Sequence, residues 1–426
     1  MKSKPITAVI VGAGQRAMIY ASYAIKHPER LRIVAIVEPN EARRELAAKA
    51  HDVGPEHCFS SVEEMVAGPK LADAVINGTM DLLHVQTTVP LLEAGYDVLL
   101  EKPIGIDMDE IWKLRQAAER CGRLVMICHV LRYAPFYMTI RRMIQAGDIG
   151  DILNVQTAEH VRYDHMAVSF VRGKWNSEKA CGSSMLLQKC CHDLDILAWM
   201  MGGVKPTSVS SYGGRMFFRP EKAPEGAGKR CLVDCKMEDS CVYSARKHYL
   251  ERALWGQYVW DNAHLGQKIS AEEKLKQLRD ESPYGRCVWH SDNDVVDHQS
   301  VIVEFENGAT ASHNMVGGAA KASRTLHIIG TKGEIQGTMD DGCFVLRKPD
   351  IAHAGRYTEQ MIALDVKGDS HGGGDLRLVE DFVDVLLGAE PSISYTSLDQ
   401  SIYGHAIGFA AEAARRSGTV IQHFVS

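Results

Sequence analysis

Ala8-Val9-Ile10-Val11-Gly12-Ala13-Gly14-Gln15-Arg16-Ala17 passes from a short apolar run through a glycine turn into a helical pattern. That order of events reads as a strand, a nucleotide-binding turn and a helix. Gly12 allows the tight bend, Gly14 lets the backbone approach a pyrophosphate, and Ala17 stands where a third glycine would let helix and strand pack closely. The helix opening at Gln15 and Arg16 offers free N–H groups and a positive dipole end to phosphates. A second buried-strand run, Leu31 to Val37, ends at the acid Glu38. This is near the spacing of about 20 residues at which a carboxylate accepts hydrogen bonds from an adenosine ribose. The expected cofactor is NAD, because Glu38 would repel the extra phosphate of NADP, although Arg43 and Arg44 lie close by.

The chain has 426 residues, 45% of them apolar, which calls for two domains with a core each. A formal charge of −6 and the absence of a basic run exclude polyanions, so no nucleic-acid partner is expected. No apolar stretch approaches the roughly 18 residues of a membrane span, so no membrane partner is expected either. Met1-Lys2-Ser3-Lys4-Pro5 runs directly into the first strand with no room for a leader, so the expected location is the cytoplasm. Eleven scattered cysteines fit a reducing compartment better than a disulfide framework.

From Ile6 to about Ile127, buried strands alternate with amphipathic helices, the pattern of a doubly wound parallel sheet. Strands are expected at 6–11, 32–37, 73–77, 97–100 and 124–128. Ligands of such sheets sit beyond the carboxyl ends of the strands, which places Thr79 and Glu101-Lys102 at the cofactor, with His84 in the following helix. The pattern changes after Arg132-Tyr133. A helix at 136–147 is followed by strand-like runs at 152–158, 208–213, 299–306, 309–315, 325–329 and 343–347, then helices at 375–388 and 397–417. The fold class is therefore α/β: a Rossmann-type domain over 1–131 and an α+β domain over 132–426 with a large, open, mainly antiparallel sheet. Residues 215–295 fit neither pattern and read as an inserted subdomain or lid. It holds Cys231, Cys235 and Cys241, whose spacing matches no zinc motif, so no metal is expected.

Two stretches carry candidate chemistry. Glu101-Lys102-Pro103 sets a lysine at a strand end where burial would lower its pKa and make it a proton-transfer group. On the helix from Met185 to Trp199, an apolar stripe is expected to face the core while Gln188, His192, Asp195 and Trp199 form a polar stripe elsewhere. Lys189 and Asp193, four apart, are expected to pair on the helix surface.

In this combination and order, the glycine turn, Glu101-Lys102-Pro103-Ile104, Arg132-Tyr133-x-Pro135, Gly147-x-Ile149-Gly150 and the His192 helix resemble the glucose-fructose oxidoreductase / inositol dehydrogenase / MocA (Gfo/Idh/MocA) family. The resemblance implies a nicotinamide between a Rossmann domain and an open-sheet domain, and a homo-oligomer built through that sheet. It implies that Lys102 and His192 are catalytic and that Lys102-Pro103 is cis. The family commonly has an Asp where this chain has Gln188, which cannot take a proton and is limited to hydrogen bonding. Gln188, Arg132, Tyr133 and Asp195 are the candidate substrate-binding residues. Gly12, Gly14, Gln15, Arg16, Glu38, Thr79, His84, Glu101 and Lys102 are the candidates for the cofactor.

The function expected is hydride transfer between nicotinamide and a secondary hydroxyl of a sugar, glycoside or cyclitol. One alternative is a redox-neutral glycosidase or lyase that oxidises and eliminates while keeping its NAD. His160, Tyr163, His165, His290, His298 and His313 are its spare acid/base groups. A second alternative is a dinucleotide sensor without turnover.

Overall fold

In the computed structural model, residues 4–352, 355–364 and 370–425 are described. Six parallel strands form the first sheet: β1 (Ile6–Val11), β2 (Leu31–Val37), β3 (Cys58–Phe59), β4 (Ala74–Asn77), β5 (Asp97–Leu100) and β6 (Val125–Ile127). Their order is β3-β2-β1-β4-β5-β6, so the chain reverses direction across the sheet at β1 and β4. That switch point opens a crevice at the carboxyl ends of the strands, the usual ligand position in such sheets. Both faces are covered, so β1 reads as an almost unbroken buried run. The two-residue β3 had no sequence signal, being too short to show a period.

The second sheet has nine strands: β7 (Ile152–Arg162), β8 (Pro206–Gly214), β9 (His298–Phe305), β10 (Thr310–Ala319), β11 (Ser323–Gly330), β12 (Glu334–Thr338), β13 (Cys343–Asp350), β14 (Arg356–Ala363) and β15 (Ile421–Gln422). Their order is β14-β13-β12-β11-β7-β10-β9-β8-β15, and every pairing is antiparallel except that of β7 with β10. One face packs on the helix Met185–Met200 and the final helix Leu398–Ser417. β12 and β14 were not expected. β12 is broken by Gly337, and β14 is an exposed edge with little apolar alternation.

The helix Gly374–Leu386 returns to the first sheet, where Leu378, Val379, Phe382 and Val383 join the core around β1. Leu398 and Ile402 pack into the other face. The C-terminal part of the chain thus closes both sides of the Rossmann-type layer. Residues 215–295 lie wholly within the connection between the neighbouring strands β8 and β9, which pair directly as Gly214 with His298. This insert has a small core of its own, including Cys231, Tyr249, Val259, Trp260 and Leu278. Among the described residues, no helix is long and apolar enough to cross a membrane.

Candidate active site

The glycine turn lies at the switch point. Gly12 has φ +77°, and a Cβ there would come within 2.9 Å of the Thr79 nitrogen, so both the conformation and the close approach require glycine. A Cβ on Gly78 would lie 2.8 Å from Ala17 Cβ, which is why a small residue serves at position 17. The helix Gln15–Lys26 starts from Gly14 with no side-chain cap, leaving its first N–H groups for a ligand. Glu38, buried at the end of β2, accepts from Ala13 N at 2.9 Å and Asn40 N at 3.0 Å. These features fit a dinucleotide: the N–H groups at Gln15 and Arg16 would take the pyrophosphate and Glu38 would lie beside the ribose.

Several expected cofactor contacts are instead spent within the protein. Arg16 is a bolt between domains: its guanidinium donates to Glu101 at 3.0 Å, Asp375 at 2.6 Å and Tyr20 at 2.6 Å. Glu101 also accepts from Tyr20 and from Lys102 N, which fixes the strand end. Thr79 donates to the Asn77 side chain at 2.9 Å. The two ring nitrogens of His84 face the carbonyl oxygens of Pro103, at 2.5 Å, and Thr79, at 3.1 Å, so it ties the turns after β4 and β5 together.

The Lys102–Pro103 peptide is cis. Lys102 Nζ donates to the main-chain oxygen of Gln188 at 2.8 Å, one turn before His192 on the same helix. The expected fall in the pKa of Lys102 does not occur. Burial lowers it, but Cys191, Glu101 and Asp81 together outweigh burial and raise it, so the group is an ammonium. His192 moves the other way: burial, then the charge of Lys102, holds it well below the ordinary histidine value and therefore neutral. His192 Nδ1 and Gln188 Oε1 are buried without hydrogen-bond partners among the described residues. Gln188 Nε2 donates to Ser183 O at 2.6 Å. The charged donor at the carboxyl end of β5 is therefore bonded to the same helix that carries the two unsatisfied acceptor-capable groups, four residues apart.

The expected polar stripe is not on a surface. Gln188, His192, Asp195 and Trp199 are all buried, because this helix is enclosed by the second sheet, the final helix and the Rossmann-type layer. Lys189 and Asp193 do not pair with each other. Lys189 reaches Glu159 at 3.0 Å and Asp193 reaches Arg324 at 3.0 Å, across to the sheet. Asp195 and Arg132 form a bidentate pair at 2.6 and 2.7 Å, with the guanidinium also donating to Tyr395 O and Gln400 O. Tyr133 donates to Asp381 at 2.6 Å. These three residues hold the joint between domains and have little capacity left for a substrate. Among the described residues, no group of three or more His, Cys, Asp or Glu side chains could hold a metal ion, and Cys231 accepts instead from buried Arg172 at 3.5 Å.

Other residues near the site escaped sequence reasoning. Three buried imidazoles and the half-buried His371 form a file: His371 is 5.7 Å from His192, His192 is 5.8 Å from His129, and His129 is 5.4 Å from His405. His371 meets Asp375 at 3.3 Å. They come from widely separated elements, and a lone histidine carries no sequence signal. Of the spare groups, His160 bonds Ser323, His298 pairs with Asp297, His313 bonds Thr157 and Tyr163 packs on Tyr243. His165 stacks on Trp255, and the backbone N of His290 donates to Cys287 O. The insert reaches the glycine turn: His264 Nε2 lies 3.2 Å from Ala13 O, and Arg43 donates to Asn262 at 3.2 Å.

Residues 6–129 match the model of the oxidoreductase family GFO_IDH_MocA, NAD-binding Rossmann fold, and residues 141–422 match its C-terminal alpha/beta domain. The Bacillus subtilis protein YteT is 26% identical over 366 residues, covering 83% of this chain and 82% of YteT. An inositol 2-dehydrogenase of Corynebacterium glutamicum is 25% identical over 201 residues, covering 47% of this chain and 55% of that enzyme. Among solved structures, the WlbA dehydrogenase of Bordetella pertussis, in complex with NADH and UDP-GlcNAcA, has a TM-score of 0.67 at 16% identity. That match covers 99% of this chain and 100% of WlbA, and it shows the fold.

Proposed function

Since this chain belongs to the Gfo/Idh/MocA family of oxidoreductases, we propose that it is an NAD-dependent oxidoreductase acting on a secondary hydroxyl of a sugar, glycoside or cyclitol. The observation that carries this reading is that Lys102 Nζ donates to Gln188 O one turn before His192, whose Nδ1 is buried without a hydrogen-bond partner among the described residues. A nicotinamide bound there supplies the hydride acceptor. Losing hydride from a carbinol carbon requires the hydroxyl proton to leave as the carbonyl forms. His192 takes that proton at its free nitrogen. Lys102 spends one of its three donors on Gln188 O and offers another to the substrate oxygen, where its charge stabilises the developing alkoxide. Gln188 Oε1 accepts from a neighbouring hydroxyl. Glu38 favours NAD over NADP through repulsion of a 2′-phosphate.

The test is to supply NAD and a panel of sugars, glycosides and cyclitols and follow NADH. Formation of NADH that disappears in Lys102→Ala supports the reading. NAD binding without turnover of any compound would make the protein a dinucleotide sensor instead. The redox-neutral alternative draws support from the insert, whose His264 reaches the glycine turn and whose Asn262 accepts from Arg43 after β2, where a cofactor would be retained. It is distinguished by release of aglycone with no net NADH. We assign the open face of the second sheet, where Tyr212, Ile302 and Val316 are exposed, to a homo-oligomer contact. Light scattering that gives a monomer would reject that assignment.

A further inference from the structure

Five aromatic rings form a closed circuit where the insert meets the segment after β7. His165 stacks on Trp255 at 4.8 Å and 23°, and Trp255 meets Tyr258 at 5.6 Å. Tyr258 lies 6.3 Å from Trp175, Trp175 lies 6.2 Å from Phe170, and Phe170 returns to His165 at 5.9 Å. Two of the rings belong to the insert and three to the segment following β7, so the circuit exists only where the insert folds back onto the body. Phe170 is buried, whereas His165, Trp175, Trp255 and Tyr258 keep part of their surface in solvent.

Three features mark this wall as a binding surface as well as a join. Lys174, next to Trp175 in the chain, sets its ammonium 4.2 Å from the Trp175 ring centroid and 3.6 Å from Met80 Sδ in the turn after β4, so the wall borders the crevice at the carboxyl ends of the first sheet. The Tyr258 hydroxyl has no hydrogen-bond partner in the protein among the described residues. Trp255 is held at φ +59°, a conformation rare for a bulky residue, by the donation of its indole N–H to Asp164 at 3.1 Å and by the stack on His165. The local fold therefore accepts backbone strain to keep the indole where it is.

Resting on the sugar-directed reading above, we propose that Trp175, Trp255 and Tyr258 form a subsite for a pyranose ring, so that the substrate is a glycoside of two or more rings. A pyranose presents a face of C–H groups, which packs on aromatic rings, and a rim of hydroxyls, which pairs with a free phenol such as that of Tyr258. Pockets for such ligands combine apolar aromatic walls with a few directed polar groups. A free cyclitol or monosaccharide, seated at Lys102 and His192, would leave the wall uncovered.

The experiment compares NAD-loaded wild type, Tyr258→Ala and Tyr258→Phe, using cellobiose, lactose, methyl glycosides of glucose and galactose, and myo-inositol. Tryptophan fluorescence reports binding and NADH formation reports turnover. The expected result is that Tyr258→Ala raises KM and Kd for disaccharides about tenfold, with kcat and NAD affinity nearly unchanged. Tyr258→Phe keeps most of the affinity, and myo-inositol is affected by neither change. Equal loss for disaccharides and myo-inositol, or no loss for either, overturns the subsite while leaving the oxidoreductase reading intact. Absence of any saccharide or cyclitol binding to wild type overturns both. Retained NAD binding and an unchanged melting temperature confirm that each variant is folded.

Discussion

Arg132, Asp195 and His192 are buried and Lys102 is half-buried, and Asp195 and His192 share one helix, yet the Arg132–Asp195 pair and the surroundings of Lys102 and His192 are opposite kinds of site. Arg132 and Asp195 satisfy each other in two short hydrogen bonds, with backbone oxygens taking further donors. Lys102 and His192 leave an imidazole nitrogen open among the described residues, and burial, then the charge on Lys102, keeps His192 neutral. Polar residues next to one another on a helix are thus separated by their partners: a closed pair holds domains together, and an open one keeps a free acceptor. Leaving polar groups unsatisfied inside a protein costs stability, so they persist where function uses them.

This contrast can be broken by exchanging the readouts. Lys102→Ala should lower kcat about a thousandfold, with NAD affinity and unfolding free energy close to wild type, as measured by steady-state kinetics and titration. Asp195→Ala should do the reverse. Stranding the Arg132 guanidinium should lower the unfolding free energy by about 3–5 kcal/mol in urea, with a much smaller effect on turnover of the protein that remains folded. If Asp195→Ala proved stable but inactive, the closed pair would belong to the active site.

The buried histidines sharpen the comparison through pH. His405 is held down to about 3 and His313 to about 4, mainly by burial. Below the ordinary value of about 6.5, the unfolded chain therefore binds protons that the folded chain refuses. Their contribution to stability is complete above that pH and is lost as pH falls toward the folded values. Each histidine contributes a slope of up to about 1.4 kcal/mol per pH unit in that window. Urea midpoints measured from pH 7 to pH 5 should fall, and His313→Gln should flatten the decline. An unchanged slope in His313→Gln would show that this imidazole is not neutral in the native state. The smallest effect belongs to the insert. His264→Ala should speed NAD release about threefold, the worth of one hydrogen bond, in stopped-flow measurements.

Much of the framework was legible in the chain. The apolar runs at 6–11 and 97–100 are the observed strands β1 and β5, because a strand buried on both faces leaves an unbroken apolar record. β3 and β14 left no such record, one being too short and the other an exposed edge. The glycine turn was readable since Gly12 meets a backbone requirement set by its immediate neighbours. His371, Asp375, His129 and His405 were not, as their proximity to His192 arises only when distant segments meet.

The sequence by itself determined the two kinds of sheet, the nucleotide-binding turn and the residue types available for proton transfer. These follow from local periodicity and backbone geometry, which are written in neighbouring residues. Only the tertiary structure decided that Lys102 is charged and His192 neutral, that Arg132 and Asp195 bind each other, and that the insert turns back over Ala13. Charge state and hydrogen-bond partnership depend on burial and on groups far away in the chain, and those are fixed when the layers pack.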